Sequence, residues 1–271
     1  MVISDDIIFV QVPKTGCSHV AKLLEEYAGG VEEEKHRRLP KKHLVDSRTI
    51  VGSVRNPHDW YVSLWAYACL QKGGVYQATV NPRTLQYVPR ICGQWCFVKP
   101  WRLLSYLQAS ITRKPDEWKP LYADSNNPEL FREWLRKINN PENRFVLSEG
   151  YGCSSLSSFA GLLTYRFLFL ATFRIRELYR SKFKSINDLV KWYNSHSYFD
   201  AVIRTEYLVS DFITLMDQAG VGISEQERNE ITNAGPTNQS KRSRDLSFYY
   251  DDDTFELVKH REAFLFNMFY S

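Results

Sequence analysis

Residues 7–27, with the sequence IIFVQVPKTGCSHVAKLLEEY, constrain the fold of this chain more than any other stretch. Positions 7–12 form an apolar, β-rich run, which is typical of a buried parallel strand. Apolar residues then recur at positions 20, 23, 24 and 27, the spacing of one helix face. The stretch therefore predicts a strand, a tight turn and a helix, whose free N–H groups and positive dipole end point toward the turn.

The turn has the sequence PKTGCS at residues 13–18, and its lysine comes before its glycine. The nucleotide-triphosphate loop GxxxxGK[ST] has the opposite order, so this turn is not that motif. Taken alone, the six residues fit two interpretations. One is an anion-binding loop, and the other is an ordinary strand-turn-helix connection with a surface lysine.

In the anion-binding interpretation each residue of the turn has a physical role. Lys14 places a mobile positive charge where a bridging oxygen would leave, and Gly16 lets the backbone approach the anion. Thr15, Cys17 and Ser18 offer main-chain N–H groups, and the hydroxyls of Thr15 and Ser18 are further donors. Ser18 fits equally well as an ordinary first-turn residue of a helix.

A second strand is predicted at residues 49–54, TIVGSV, which lead directly into Arg55-Asn56-Pro57. Asn56 suits a helix N-cap and Pro57 the first helical position, and the helix then continues to about residue 70. The order so far is strand, helix, loop, strand, helix. This order implies parallel strands, and hence an α/β fold with a parallel β-sheet flanked by helices.

The start of the second helix carries a second set of candidate anion-binding residues. Arg55 offers a planar fork that matches phosphate bidentately, although an arginine at a strand end often forms a surface ion pair instead. Ser63 lies two helical turns beyond Asn56, and its alternative role is that of a small residue that allows close helix packing. His58, within the same segment, is expected at the surface.

Beyond residue 70 the sequence predicts an irregular insertion, then further helices and one more strand. The insertion covers about residues 71–127, and its composition suits either the acceptor side of a cleft or a hydrophobic cluster under long loops. Helices are predicted at 128–138, 156–171, 211–219 and 252–270, and a third strand within 198–208, centred on 201–204. The whole chain, 1–271, is expected to form a single domain.

Composition narrows the classes of function. The net charge is only +4 and no basic stripe is present, which argues against a nucleic-acid partner. The five cysteines, an odd number, are expected to be reduced thiols in a cytoplasmic protein. Cys92 and Cys96 lack a second Cys/His pair at matching spacing, so no metal site is expected there. No apolar run is long enough to cross a bilayer, and no membrane contact is expected.

Three parts of the chain together resemble the sulfotransferases that use 3′-phosphoadenosine 5′-phosphosulfate (PAPS). The PKTGCS loop is similar to that family's 5′-phosphosulfate loop, and residues 53–63, SVRNPHDWYVS, are similar to its 3′-phosphate segment. The C-terminal half, from VIRTEYLVSDF through SKRSR to the end, is similar to the bacterial and carbohydrate-type branch. The resemblance covers both ends of the chain and leaves out roughly the middle third.

The resemblance implies an α/β fold with a P-loop-like phosphosulfate loop at residues 13–18, and in-line transfer of a sulfuryl group to a hydroxyl or amine. PAPS would be the donor and adenosine 3′,5′-bisphosphate (PAP) the product, with no metal. The acceptor is expected to be a small metabolite, a natural product or a sugar. Positioning and charge neutralisation would supply most of the rate, as in phosphoryl transfer.

Further site residues follow from the resemblance. The reaction needs a base for the acceptor's proton, and His36 lies where the resembling branch often has a Lys-His pair, with His43 as its rival. Glu206 matches a position where an acidic residue pairs with a nearby arginine, and it is the remaining candidate base if both histidines fail. Lys241 and Arg242 match late 3′-phosphate contacts loosely, and a solvated charge run explains them equally well.

Two other functions remain open at the level of sequence. A nucleotide kinase or other phosphotransferase would use the same loop architecture, but the lysine precedes the glycine and no acidic Mg²⁺ ligand is evident after a strand. A non-catalytic nucleotide-binding module would keep the loop and would need no base beside it.

Overall fold

A mixed five-stranded sheet flanked by helices organises the fold, which is therefore α/β. The computed structural model describes residues 1–44, 47–81, 114–147, 150–233 and 244–270. Within these ranges the strands are β1 (Val2–Ile3), β2 (Ile7–Phe9), β3 (Val31–Glu32), β4 (Thr49–Val54) and β5 (Ala201–Arg204). The α-helices of the same ranges are α1 (Cys17–Tyr27), α2 (Pro57–Cys69), α3 (Gly73–Val80), α4 (Pro115–Trp118), α5 (Pro128–Asn139), α6 (Leu162–Ala171), α7 (Ile175–Arg180), α8 (Ile186–His196), α9 (Leu208–Gln218), α10 (Glu225–Asn233), α11 (Leu246–Tyr249), α12 (Asp252–Arg261) and α13 (Ala263–Phe269).

The strand order is β3-β1-β2-β4-β5, and only part of the sheet is parallel. Strands β2, β4 and β5 are parallel, with Ile7 opposite Thr49 and Val54 opposite Arg204. Strand β1 pairs antiparallel with both β2 and β3. The expected parallel sheet is thus present at β2, β4 and β5, whereas β1 reaches β2 through only residues 4–6, too few for the crossover that parallel pairing needs.

Each face of the sheet is covered by its own group of helices. Ile7, Phe9 and Val51 pack against α1, α9 and α10 on one face, whereas Ile8 and Ile50 face the larger core. That larger core includes residues of α2, α5, α6, α8, α12 and α13. Because β2 and β4 are buried on both faces, their sequences are continuous apolar runs. Such runs are the pattern from which both strands were predicted.

Several predicted elements are confirmed at their boundaries. Strand β4 has the predicted limits, β5 occupies the predicted centre of the 198–208 segment, and α2 begins at Pro57 with the Asn56 side chain accepting from the N–H of His58. Strand β2 is shorter than the strand predicted at 7–12, since it ends at Phe9. The predicted helix at 156–171 is a 3₁₀ turn followed by α6, and the predicted helix at 252–270 is divided into α12 and α13.

The predicted insertion at 71–127 lies partly outside the described residues, as do Cys92 and Cys96. Its described flanks are the helices α3 and α4 and a 3₁₀ turn at Lys119–Tyr122. Trp118 and Tyr122 from these flanks are buried in the larger core. Throughout the described ranges, no helix has the length and apolarity needed to cross a membrane.

Candidate functional site

The carboxyl ends of β2, β4 and β5 bring three loops together at one edge of the sheet. The loop after β2 contains two left-handed residues, Lys14 with φ 66° and Gly16 with φ 69°. A Cβ added to Gly16 would lie 3.0 Å from Leu208 Cδ1 and 3.4 Å from Thr205 Cγ2. Glycine is needed at position 16 because of both its φ angle and this close approach to the segment after β5.

The loop leaves main-chain donors open at the start of α1. Gly16 is the N-cap of α1 and provides no side-chain cap. None of the main-chain hydrogen bonds in the described part of the chain uses the N–H groups of Gly16, Cys17 or Ser18. Open N–H groups at the positive end of an eleven-residue helix form a ready anion-binding surface.

The side chains of the loop divide into structural and accessible groups. Thr15 is fully buried, and its hydroxyl donates to the carbonyl of Val12 at 2.7 Å and lies 2.6 Å from the hydroxyl of Ser53. Thr15 therefore joins the loop to β4, and only its main-chain N–H remains a candidate anion contact. Cys17 is buried, which raises the pKa of its thiol, while Ser18 is exposed at the surface.

Lys14 is held over an aromatic ring. Its Nζ lies 4.0 Å from the centroid of the Tyr67 ring, and it takes part in no ion pair among the residues that the structure describes. Burial lowers the pKa of the Lys14 amine, and the positive charge of Arg55 acts in the same direction. The amine is therefore a partly desolvated cation that no carboxylate of the described ranges pairs with.

Arg55 joins the two predicted anion-binding segments. Its Nη1 donates to the main-chain carbonyl of Lys14 at 3.3 Å, and its guanidinium also pairs with Asp59 one turn into α2. Arg55 is mostly buried, with 18% of its side chain exposed. The structure thus brings Arg55 against the loop of Lys14, as the two-segment interpretation expects.

Ser63 lies on the same stripe of α2 as the contacts of Arg55 and Lys14. Asp59, Ser63 and Tyr67 follow one another at intervals of four residues, so they lie on one helix face. Asp59 binds Arg55 at one end of this stripe, and Tyr67 contacts Lys14 at the other. Ser63 is 6% exposed and sits between them, where its small side chain also permits close packing.

His36 is fixed by the segment between β2 and the loop. Its Nδ1 lies 3.0 Å from the carbonyl oxygen of Gln11, three residues before Lys14. A carbonyl oxygen only accepts, so Nδ1 carries the proton and Nε2 keeps its lone pair. Partial burial lowers the pKa of His36, the bond to Gln11 opposes this, and the charge of Arg166 lowers it further. The ring is therefore neutral near pH 7 and able to accept a proton at Nε2.

His43 lies at the other edge of the sheet. Its Nδ1 contacts Nη2 of Arg48 at 3.1 Å, and Arg48 also donates to the carbonyl of Ser4. Ser4 precedes β2 and Arg48 precedes β4, so both mark the amino ends of the parallel strands. A six-residue strand such as β4 is about 20 Å long, so this placement separates His43 from Lys14.

Glu206 bridges two parts of the site. Its carboxylate accepts from the main-chain N–H of Asn56 at 2.7 Å and from the hydroxyl of Tyr270 at 2.9 Å. Burial and the charge of Glu206 raise the pKa of the Tyr270 phenol, which therefore stays protonated as the donor. The expected partner was an arginine, and the observed partners are a helix N-terminus and a tyrosine. This carboxylate supports the segment after β4.

Arg204 is a second arginine at the carboxyl ends of the strands, and it is neutralised by Asp211. Its Nε and Nη2 donate to the two carboxylate oxygens of Asp211 at 3.0 and 2.9 Å. The pair lines a groove of about 310 Å³ beside the edge strand β5. Because its fork is occupied by Asp211, Arg204 adds little to the anion-binding capacity of the site.

Three further predictions concern Lys241 and Arg242, metal binding, and the exposure of His58. Lys241 and Arg242 lie outside the described residues. Within the described ranges, no group of three or more His, Cys, Asp or Glu side chains is arranged to hold a metal ion. His58, expected at the surface, is instead 3% exposed and stacks on Phe255 at 3.7 Å, because the C-terminal helices cover the start of α2.

Sequence reasoning missed Gln11, Tyr67 and Tyr270. Gln11 acts through its backbone and Tyr270 through a partner that is distant in sequence, so no local pattern marks them. Tyr67 had one local signal, its position four residues after Ser63 on an apolar helix.

A scan against protein-family models, a search of curated proteins and a search of solved structures each find no match.

Proposed function

We propose that this chain is a sulfotransferase that moves a sulfuryl group from PAPS to a hydroxyl or amine of a small metabolite, a natural product or a sugar. The observation that carries the proposal is the contact between Arg55 and the carbonyl of Lys14. It joins an open helix N-terminus to a second cationic segment, which suits a nucleotide phosphorylated at both its 5′ and 3′ positions. In this proposal residues 13–18 form a P-loop-like phosphosulfate loop.

Donor binding would use both segments. The N–H groups of Gly16, Cys17 and Ser18 would bind the 5′-phosphosulfate at the positive end of α1. Arg55 and Ser63 would hold the 3′-phosphate, with Lys241 and Arg242 as further candidates. Arg55 would then share its guanidinium between that phosphate and Asp59, which already orients it.

The transfer step needs one group that accepts a proton and one that neutralises negative charge. The acceptor oxygen or nitrogen forms a bond to sulfur, while the bond between sulfur and the bridging phosphate oxygen breaks. Nε2 of His36 takes the proton that the acceptor loses, since its Nδ1 is bound to Gln11. Lys14 neutralises the negative charge that develops on the departing PAP oxygen.

The two rival functions lack comparable support. A nucleotide kinase would place carboxylates near the phosphates to hold Mg²⁺, whereas Asp59 and Asp211 are each engaged by an arginine. A non-catalytic nucleotide-binding module would not need an oriented, neutral histidine beside the loop.

Calorimetric titration with PAP and with ATP tests the proposed donor site. We expect PAP to bind and ATP to bind far more weakly. Lys14→Ala or Arg55→Ala should each weaken PAP binding by about ten- to a hundredfold, since a hydrogen bond to a charged group is worth about 1.5–3 kcal/mol. Lys22→Ala removes an exposed lysine from α1, the helix that follows the loop of Lys14, and serves as the matched control.

Transfer of labelled sulfate from PAPS to a panel of hydroxyl and amine acceptors tests the reaction itself. Tighter binding of ATP than of PAP, or an unchanged PAP affinity in Lys14→Ala, would contradict the proposed donor site. PAP binding without transfer to any acceptor would favour the non-catalytic module.

A further inference from the structure

The partner of Lys14 is unusual for a partly buried cation. Its Nζ lies over the face of Tyr67, 4.0 Å from the ring centroid, and no carboxylate pairs with it in the described part of the chain. The nearest acidic group on the same stripe of α2, Asp59, is bound to Arg55. An aromatic face therefore occupies the place where a carboxylate would ordinarily hold the ammonium.

The position of the Tyr67 ring is built into the local backbone. Gly73 begins α3 with φ 87°, and a Cβ added there would lie 2.9 Å from Tyr67 Cδ1 and 3.0 Å from Cε1. The ring is thus packed between the backbone of Gly73 and the ammonium of Lys14. It remains 37% exposed, so the ammonium lies at an accessible surface.

A neutral ring and a carboxylate differ in how they would compete with an anion. A carboxylate beside Lys14 would repel an incoming phosphosulfate and would have to be displaced from a charge–charge pair. The face of an aromatic ring attracts the cation through its quadrupole, carries no net charge and gives up the cation at low cost. The ring therefore orders the lysine without weakening the positive potential of the loop.

We propose that Tyr67 is a positioning residue that holds the Lys14 ammonium along α2 before an anion binds and releases it to that anion. The release step rests on the proposed function, whereas the holding step does not. The two steps are tested separately.

The holding step is tested by titrating Lys14 directly in the ligand-free protein. Reductive ¹³C-methylation followed by NMR gives the pKa of each lysine, and Lys14→Arg identifies the signal of Lys14. Tyr67→Leu should lower the pKa of Lys14 by about 0.4–1.5 units, because loss of the ring removes a stabilisation of the charged form. Tyr67→Phe retains the ring and should leave that pKa unchanged.

Tyr207→Leu is the matched control for the titration. Tyr207 is also exposed and also lies under a cation, with the Arg204 Cζ 4.6 Å from its ring centroid. Its substitution should not change the pKa of Lys14. An unchanged pKa in Tyr67→Leu, or an equal change in Tyr67→Phe, would overturn the proposal, and thermal unfolding of each variant establishes that it is folded.

The release step is tested with inorganic pyrophosphate and with PAP as probes. Tyr67→Glu should weaken the binding of both by more than about tenfold, since a carboxylate would then pair with Lys14 and repel the anion. Tyr67→Phe should bind both probes as the parent does. If neither probe binds the parent protein while the titration gives the expected pKa shift, the proposed function fails and the holding role of Tyr67 stands. Equal probe affinities in Tyr67→Glu and the parent would overturn the release step.

Discussion

His36 illustrates how one hydrogen bond determines what a residue can do. The residue has φ 56°, a conformation that non-glycine residues adopt rarely and at some cost, and its Nδ1 is directed to the carbonyl of Gln11. This geometry fixes the tautomer, and partial burial lowers the pKa of the ring. Strain and orientation together are typical of a residue retained for function.

The pH dependence of transfer follows from the lowered pKa of His36. A base must be unprotonated, so kcat/KM should fall only as the pH drops below the usual imidazole value of 6.5, and the midpoint of that fall should lie below 6.5. His36→Gln should lower kcat by about 10²–10⁴-fold and remove this acid limb.

His43→Gln is the control for that profile, since His43 lies at the amino ends of the strands beside Arg48. Its profile should match that of the parent. Full activity in His36→Gln would remove His36 as the base and return attention to Glu206.

Lys14 and Arg55 were selected from the PKTGCS loop and the segment that begins at Arg55, and each had an alternative structural role. The structure places the two in contact because the carboxyl ends of parallel strands meet at one edge of the sheet. The role of Thr15 was not predicted, because whether a hydroxyl faces a ligand or the core depends on a neighbour, Ser53, that is 38 residues away. Burial of His58 was missed for the same reason, since its cover comes from Phe255.

At the scale of elements, Glu262 determines how the C-terminal helices meet the rest of the core. It is fully buried between α12 and α13 and accepts hydrogen bonds from the N–H groups of Leu163 and Thr164 at the start of α6. The hydroxyls of Thr164 and Tyr61 also donate to it. Burial raises the pKa of Glu262, and these four donors oppose that shift.

Replacing this carboxylate should be costly. Glu262→Gln puts an amide N–H₂ where an oxygen now accepts two hydrogen bonds, so we expect the free energy of unfolding to fall by about 2–4 kcal/mol. Urea unfolding monitored by circular dichroism measures the change. Glu256→Gln, on the exposed face of α12, should change it by less than about 0.5 kcal/mol, and equal effects would refute the capping role.

Elements with a complete local signal were predicted well. Strand β4 is a short apolar run followed by an N-cap and a proline. Helix α5 begins at Pro128 and is capped by Asn127, whose side chain accepts from the N–H groups of Glu129 and Leu130. The break between α12 and α13 was not predicted. Its cause is the burial of Glu262 against α6, about a hundred residues earlier, which no local pattern records.

For the whole molecule, the notable relation is that both ends of the chain reach the same site. Tyr270 donates to Glu206, Glu206 accepts from Asn56, and Asn56 follows directly after Arg55. Tyr270 therefore supports the proposed 3′-phosphate segment through Glu206. Local sequence patterns do not predict contacts between residues so far apart in the chain.

Tyr270→Phe tests this long-range support. Removing the hydroxyl takes away one of the two donors that orient Glu206, so PAP binding should weaken by about two- to tenfold, corresponding to about 0.5–1.5 kcal/mol. Calorimetric titration measures the change, with Tyr207→Phe as the control. A PAP affinity equal to that of the parent would show that the C-terminal segment has no part in the site.

The register between β2 and β4 has a consequence for which changes the chain can tolerate. Ile7 lies opposite Thr49 and Phe9 opposite Val51, so backbone pairing sets the spacing between the two loops that carry Lys14 and Arg55. A slip of one residue would exchange the two faces of the strand, and a slip of two would move one loop past the other by about 6.6 Å. Apolar exchanges within these strands therefore leave the spacing intact. A single insertion or deletion at 7–14 or 49–55 would disrupt it.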